Sequence, residues 1–135
     1  MKWQTAALAV LVSACVNTQV TPLAGLDPHR APTCPQAVKV FASMQGVDTP
    51  YVELAYLHSS ATDPVADEKL IESMKEKAAE IGANGILFRG ITETAGGVGL
   101  VSSAFEKKPS GEATAIWMPK DSAASMKTCA DSTGK

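Results

Sequence analysis

Histidine and serine stand together at one point of the sequence, with two acidic residues shortly after them. His58, Ser59 and Ser60 precede Asp63 and Asp67, and these are the residue types of a hydrolase triad or of a metal site. Adjacent residues at a strand end point in different directions, and the sequence contains no G-x-S-x-G motif. We therefore expect no catalytic residues and no metal here. An enzyme or metal-binding module that uses His58 and the nearby carboxylates is the alternative function.

A glycine-rich run, Ala95–Leu100, is the second candidate for a functional site, in this case a phosphate-binding loop. A phosphate-binding P-loop needs G-x-x-x-x-G-K-[ST] between a strand and a helix, and neither Lys nor Ser or Thr follows at that spacing. The run is more typical of a hairpin loop, and no cofactor is expected. The net charge of −2 and the pI near 5.6 give no electrostatic reason to expect nucleic-acid binding.

The strongest functional signal lies in the first fifteen residues, MKWQTAALAVLVSAC. Lys2 precedes the mostly apolar stretch Thr5–Ala14, which as a helix would cover about 15 Å, half of a bilayer core of about 30 Å. This length fits the apolar region of a signal peptide better than a membrane span. Val12-Ser13-Ala14-Cys15 is similar to the bacterial lipobox. The resemblance implies cleavage after residues 1–14 and lipidation of Cys15 with acyl chains such as palmitate. Two alternatives to the lipobox remain: a plain secretory signal with an incidental cysteine, and an uncleaved membrane anchor.

The residue after the cysteine bears on the destination of the protein. In lipoproteins of two-membrane bacteria, Asp at this position favours retention in the inner membrane, whereas this chain has Val16. The resemblance therefore implies anchoring in the outer membrane, with the domain facing the periplasm. The membrane would be contacted through the N-terminal lipid, and an envelope protein is the expected further partner.

Residues 15–35 predict a flexible tether after the lipidated cysteine. The stretch contains four prolines and one glycine and shows neither helical nor alternating periodicity. About twenty residues reach roughly 60 Å when they are extended, enough to hold a domain clear of the headgroups.

Two cysteines remain outside the lipobox, Cys34 and Cys129. An exported chain enters an oxidising compartment, in which pairs of cysteines tend to form disulfides. The sequence thus favours a disulfide that joins the two ends of the folded part. Two free thiols, or pairing with another protein, remain open, while the absence of C-x-x-C argues against redox catalysis.

The folded part is predicted to contain one amphipathic helix. Asp63 can serve as its N-cap with Pro64 at the first helical position, and Gly82 can end it. The apolar stripe between them consists of Leu70, Ile71, Met74, Ala78 and Ile81.

Four segments around this helix are predicted as strands: residues 38–43, 51–58, 85–92 and 112–118. A long glycine-containing loop joins the last two as a hairpin, and Ala123–Cys129 forms a short helix or turn. The prediction is an α+β fold over residues 36–130, with the helix packed on a sheet of about four strands. Residues 131–135 are expected to be a polar tail.

The end of the helix carries a resemblance to known families. The helix residues Leu70 and Met74 are followed by Gly82-Ala83-Asn84 and a strand at Ile86. This pattern, within Tyr51–Glu93, resembles the Rcs stress-sensor lipoprotein family and the YbjQ-like families of bacterial envelope domains. The resemblance implies a compact α+β domain. The stress-sensor family carries four cysteines in two disulfides, whereas this chain has two for its folded part, so no mechanism is carried over.

Together these features predict a lipid-anchored cell-envelope protein that is not an enzyme and has a binding, sensing or structural role. Phe105 lies in the glycine-containing loop. It is the apolar residue that we expect to be presented to a partner.

Overall fold

The computed structural model describes residues 16–61, 67–95 and 107–133. The lipobox with Cys15, the helix cap at Asp63 and Pro64, and Phe105 lie outside these residues. The strands are β1 (Val16–Pro22), β2 (Lys39–Phe41), β3 (Val52–Ala61), β4 (Gly85–Ala95) and β5 (Lys107–Trp117), and the helices are α1 (Asp67–Glu80) and α2 (Ser122–Thr133). Short 3-10 helices occur at Pro35–Ala37, Met44–Gly46 and Pro119–Asp121.

The five strands form one mixed sheet in the order β1-β3-β5-β4-β2. Neighbouring strands are antiparallel, except that β2 runs parallel to β4. The predicted α+β class and the β4–β5 hairpin are confirmed. The sheet has five strands, whereas about four were expected, and β5 begins at Lys107, earlier than the alternation of side chains indicated.

The additional strand is β1, which lies in the segment predicted as a flexible tether. It pairs with β3 along its whole length, from Val16 opposite Ala61 to Pro22 opposite Ala55. The tether prediction is therefore wrong for Val16–Pro22, and the folded domain begins before residue 36. The prolines that suggested a tether begin only at the last residue of the strand, where an edge strand tolerates proline.

Helix α1 covers one face of the sheet, as its sequence predicts. Leu70, Met74 and Ala78 from the predicted stripe are fully buried. They pack against Leu54, Leu57, Ile86 and the alanines of β5. The helix ends before Gly82, whose φ of +83° is readily adopted only by glycine. Ile71 and Ile81, the other two residues of the stripe, are only half-buried.

The opposite face of the sheet is divided into two halves. One half is a second apolar cluster, in which Leu87, Ile116 and Met118 are buried beneath Phe41 and Tyr51. The other half is open and carries polar side chains from β3 and β5; we call it the open face. It consists of Tyr56, His58, Ser60 and Glu112, and Thr114, which pairs with Tyr56, lies buried at its border with the apolar half.

The strand register defines two opposite ends of the sheet. At the hairpin end, β1 begins at Val16, β3 finishes at Ala61, and the β4–β5 pairing continues to Ala95 opposite Lys107. At the disulfide end lie Trp117 and helix α2. The eleven residues of β5 connect the two ends over roughly 35 Å.

Helix α2 includes residues that were predicted as a tail. The short helix or turn expected at Ala123–Cys129 is a helix that continues to Thr133, so the exposed polar residues 131–133 are the last turn of α2 and not a separate tail. Among the residues that the structure describes, neither helix has the length and hydrophobicity needed to cross a membrane.

Candidate functional site

The disulfide end of the sheet is built around the bond between Cys34 and Cys129. Their Cα atoms are 5.6 Å apart and 95 positions apart in sequence, and the backbone N–H of Cys34 donates to Cys129 Sγ over 3.1 Å. Of the alternatives left open by the sequence, the structure contains the intramolecular disulfide. The bridge ties α2 to the chain just before the 3-10 helix Pro35–Ala37.

A cleft of about 430 Å³ opens beside this disulfide; we call it the disulfide groove. One wall is the segment Arg30–Thr33, and Trp117 also lines the cleft. The other wall is one face of α2, because its residues follow the helical spacing. These residues are Ser122, Ser125, Met126 and Cys129.

Arg30 gives the groove a fixed positive charge. Its guanidinium carbon lies 4.4 Å from the centroid of the Trp117 ring, within the range of a cation–π interaction. Its aliphatic part passes over Gly82, where a Cβ atom would lie 2.5 Å from Cδ. Gly82 is thus required both for its positive φ and for the close passage of this side chain.

The guanidinium of Arg30 has no ion-pair partner among the described residues. Its Nε is buried and makes no hydrogen bond there. The ion pairs found in residues 16–61, 67–95 and 107–133 involve other side chains. Asp121, an acid at the same end of the sheet, is paired with Lys39 at 3.3 Å. The groove therefore combines apolar walls with an uncompensated cation.

The open face holds the histidine that was considered in the sequence. His58 Nδ1 lies 3.9 Å from Glu112 Oε1, and the two side chains are 40% and 49% exposed. Ser59 faces α1 instead and accepts a hydrogen bond from Thr18 Oγ1 over 3.0 Å. The predicted divergence of adjacent side chains is confirmed, and Asp63 lies outside the described residues. Within the described ranges, no three His, Cys, Asp or Glu side chains converge on one point.

Tyr56 also lies on the open face, and its surroundings raise the pKa of its phenol. Hydrogen bonding to Glu112 raises its pKa above the usual 10.0, and burial raises it further, against the opposing effect of Arg89. A raised pKa favours the neutral phenol in the folded state, so this contribution to stability is complete below pH 10 and is lost as the pH rises through the higher folded value.

We predict that Glu112→Gln lowers the pKa of Tyr56 and makes the loss of stability above pH 10 less steep. The pKa is measured from phenolate absorbance in a Tyr51→Phe background, which leaves Tyr56 as the only tyrosine. Glu53→Gln, on the same strand as Tyr56, is the matched control and should leave the titration unchanged. An unaltered midpoint in Glu112→Gln would contradict the assignment.

Comparison with known proteins identifies a similar fold. No family model and no curated protein sequence matches the chain. The crystal structure of the Francisella virulence factor FvfA, in its orthorhombic form, is similar with a TM-score of 0.50 and 15% sequence identity. The similarity covers 74% of this chain and 96% of FvfA. At this identity the comparison shows a shared fold, and it carries no information on a site.

Two features of these surfaces were not found from the sequence. Arg30 lies in the segment whose composition predicts a tether, and its position over Trp117 depends on the path of residues 22–33 across the domain. Glu112 was not associated with His58, although the two residues are directly paired between β3 and β5. One feature of the sequence does indicate the location of the groove. Trp117 ends the last strand, and the segment that carries Cys129 follows it closely, so a tryptophan and the disulfide are expected near each other.

Proposed function

We propose that this protein is anchored by lipid in the bacterial cell envelope and has a binding, sensing or structural role without catalysis. The observation that carries the proposal is the segment Val12-Ser13-Ala14-Cys15, which ends an apolar stretch of signal-peptide length. Two or three acyl chains on Cys15 would anchor the protein stably, because each buried CH₂ contributes about 0.8 kcal/mol.

The beginning of β1 supports a close arrangement of the domain and the membrane. Val16 directly follows Cys15 and is already paired with Ala61. Lipid on Cys15 would therefore hold the hairpin end of the sheet close to the headgroups, instead of leaving the domain on a long tether. The disulfide end would face away from the membrane, with the groove accessible to a partner.

The proposed location is the outer membrane, with the domain facing the periplasm. Val16, rather than Asp, follows the cysteine. The resemblance of Tyr51–Glu93 to the Rcs stress-sensor and YbjQ-like envelope families points to the same compartment. A disulfide such as Cys34–Cys129 also suits an oxidising environment.

Replacing the lipidated residue tests the proposal directly. We predict that Cys15→Ser abolishes incorporation of labelled palmitate and moves the protein from the membrane fraction to the soluble fraction. Ser13→Ala, which keeps a small residue in the lipobox, is the control and should retain the label. The intact mass of the wild-type protein should equal residues 15–135 plus acyl chains. An unlabelled wild type, or a Cys15→Ser variant that keeps the full label, would refute the lipid anchor.

The alternative is an envelope enzyme or metal-binding module that uses His58. The proximity of His58 to Glu112 favours it, but a pair supplies at most two ligands, and zinc sites use three or four protein ligands. The Glu112→Gln variant also tests this alternative, because zinc affinity at such a site would fall with the loss of a carboxylate. Zinc binding that is absent, or equal in the variant and the wild type, would remove it.

A further inference from the structure

We propose that the disulfide groove is a binding site for a small carboxylate with an apolar body, such as an aryl or alkyl carboxylic acid. This inference deepens the binding role proposed above and rests on it, but it does not require lipid on Cys15. The apolar body of the ligand would lie between α2 and the segment Arg30–Thr33, and its carboxylate would bind Arg30.

The size and lining of the groove suit the apolar body. Small-molecule sites are commonly about 300–1,000 Å³ and are mostly apolar, with a few polar groups that fix orientation. The groove, at about 430 Å³, lies at the lower end of this range and is lined by Ala31, Pro32, Trp117 and Met126. Met126 is 72% exposed, so a ligand would cover a flexible and polarisable side chain that now faces solvent.

Arg30 supplies the positive charge of the groove, and its polar lining otherwise consists of the hydroxyl side chains of Thr33, Ser122 and Ser125. Thr33 Oγ1 donates to the carbonyl of Ala83, and Ser125 Oγ donates to the carbonyl of Asp121, so two of the three hydroxyl protons are already used, and the hydroxyl of Ser122 is neutral. Arg30 has no ion-pair partner among the described residues. A guanidinium pairs with a carboxylate through two parallel hydrogen bonds, which makes Arg30 the residue that selects a carboxylate over a neutral ligand.

Both walls of the groove are held in place before a ligand arrives. The backbone N–H of Thr33 donates to the carbonyl of Ala79 over 2.9 Å, which fixes the wall Arg30–Thr33 to the end of α1. Cys129 fixes α2 through the disulfide. The side chain of Arg30 lies against Gly82 through its aliphatic part and against the Trp117 ring through its guanidinium. Such preorganisation reduces the entropy that binding would otherwise cost.

The fluorescence of Trp117 provides a direct measurement, since the only other tryptophan, Trp3, lies within residues 1–14. The protein is extracted from cells in a non-ionic detergent and titrated with phenylbutyrate, or with phenylbutanol, which has the same apolar body without the charge. We expect a saturable fluorescence change with phenylbutyrate, and at least tenfold weaker binding of phenylbutanol. A Trp117→Phe variant supplies the baseline for any signal from Trp3.

The arginine variants test the role of the charge. Arg30→Gln should weaken phenylbutyrate binding about tenfold or more, with little effect on phenylbutanol. Arg89→Gln is the matched control: it removes the other arginine of the chain, which lies near Tyr56, and should leave both affinities unchanged. Circular dichroism establishes that each variant is folded.

Equal affinity of the wild type for the two probes would overturn the proposal without reference to any variant, as would a failure to bind either probe. An Arg30→Gln variant that is folded and keeps full affinity would also overturn it. These results would not contradict the proposed lipid anchor on Cys15. Conversely, a protein without lipid could still bind phenylbutyrate through Arg30, so failure of the groove and failure of the anchor are distinguishable.

Discussion

The double variant Cys34→Ala/Cys129→Ala is expected to lose about 4–5 kcal/mol of its free energy of unfolding. The disulfide closes a loop of 95 residues, and the chain-entropy model gives this magnitude for a loop of about 100 residues, because the bridge restricts the unfolded chain. A small domain has a total stability of only about 5–15 kcal/mol. Loss of the bridge therefore removes a large part of the stability.

The position of the bridge adds a local effect. Helix α2 packs mainly on the short 3-10 helices Pro35–Ala37 and Pro119–Asp121, so without the bridge it has few contacts that hold it to the sheet. We expect α2 to exchange its amide protons earlier than α1 does in the double variant, and the disulfide groove to lose one wall.

Urea denaturation followed by circular dichroism and by Trp117 fluorescence measures the loss. Wild-type protein reduced with a phosphine should behave like the double variant, and Lys127→Ala, an exposed substitution on the same helix, should stay within about 0.5 kcal/mol of the wild type. A loss below about 1 kcal/mol in both the double variant and the reduced protein would contradict the prediction.

Asn84→Ala is the second substitution with a large expected effect, at about 3 kcal/mol or more. Asn84 is fully buried where the turn after α1 enters β4. Its Nδ2 donates to the carbonyl of Met118 over 2.8 Å, and its Oδ1 accepts from the N–H of Met118 over 2.7 Å. Alanine would leave both backbone groups of Met118 buried without these partners, and each unsatisfied group costs about 1–3 kcal/mol.

The backbone of Asn84 is used as well, which explains why the residue is central to the fold. Its N–H donates to the carbonyl of Ile116, and its carbonyl accepts from the N–H of Lys39. One residue thus joins the end of β5 to the beginning of β2. These backbone bonds survive in the alanine variant, so the prediction isolates the contribution of the amide side chain.

The effect of Asn84→Ala is measured by urea denaturation against Asn17→Ala, which removes an exposed asparagine from the edge strand β1. The control should remain within about 0.5 kcal/mol of the wild type. If Asn84→Ala were equally mild, the two hydrogen bonds to Met118 would not have the structural role that we assign to them.

Gly82-Ala83-Asn84 carries the resemblance to known families, but the structural role of Asn84 does not follow from the sequence. The sequence predicts a helix end and a strand there, and both are confirmed. A turn asparagine is ordinarily explained by local hydrogen bonding. The partner of this side chain is Met118, whose nearness to Asn84 results from the pairing of β4 with β5.

Strand β1 shows a different limit of prediction from sequence. Its inward residues Val16, Thr18 and Val20 alternate with polar residues, but Thr18 interrupts the apolar pattern, and the prolines that follow dominate the composition of the segment. Thr18 is buried because its hydroxyl bonds to Ser59 and Ser73. Those partners are supplied by β3 and α1, so the short pattern alone does not distinguish an edge strand from an extended linker.

The sequence by itself determined helix α1 and the four strands β2 to β5, and it favoured, without deciding, the pairing of the two cysteines. The stripe of α1, the glycine that ends it and the alternation in β3 are short-range patterns that follow from the geometry of helices and strands. The tertiary structure decided the strand order, the inclusion of Val16–Pro22 in the sheet and the position of Arg30 over Trp117. These depend on which distant segments lie side by side, and side-chain periodicity specifies a buried face without specifying the neighbour that covers it.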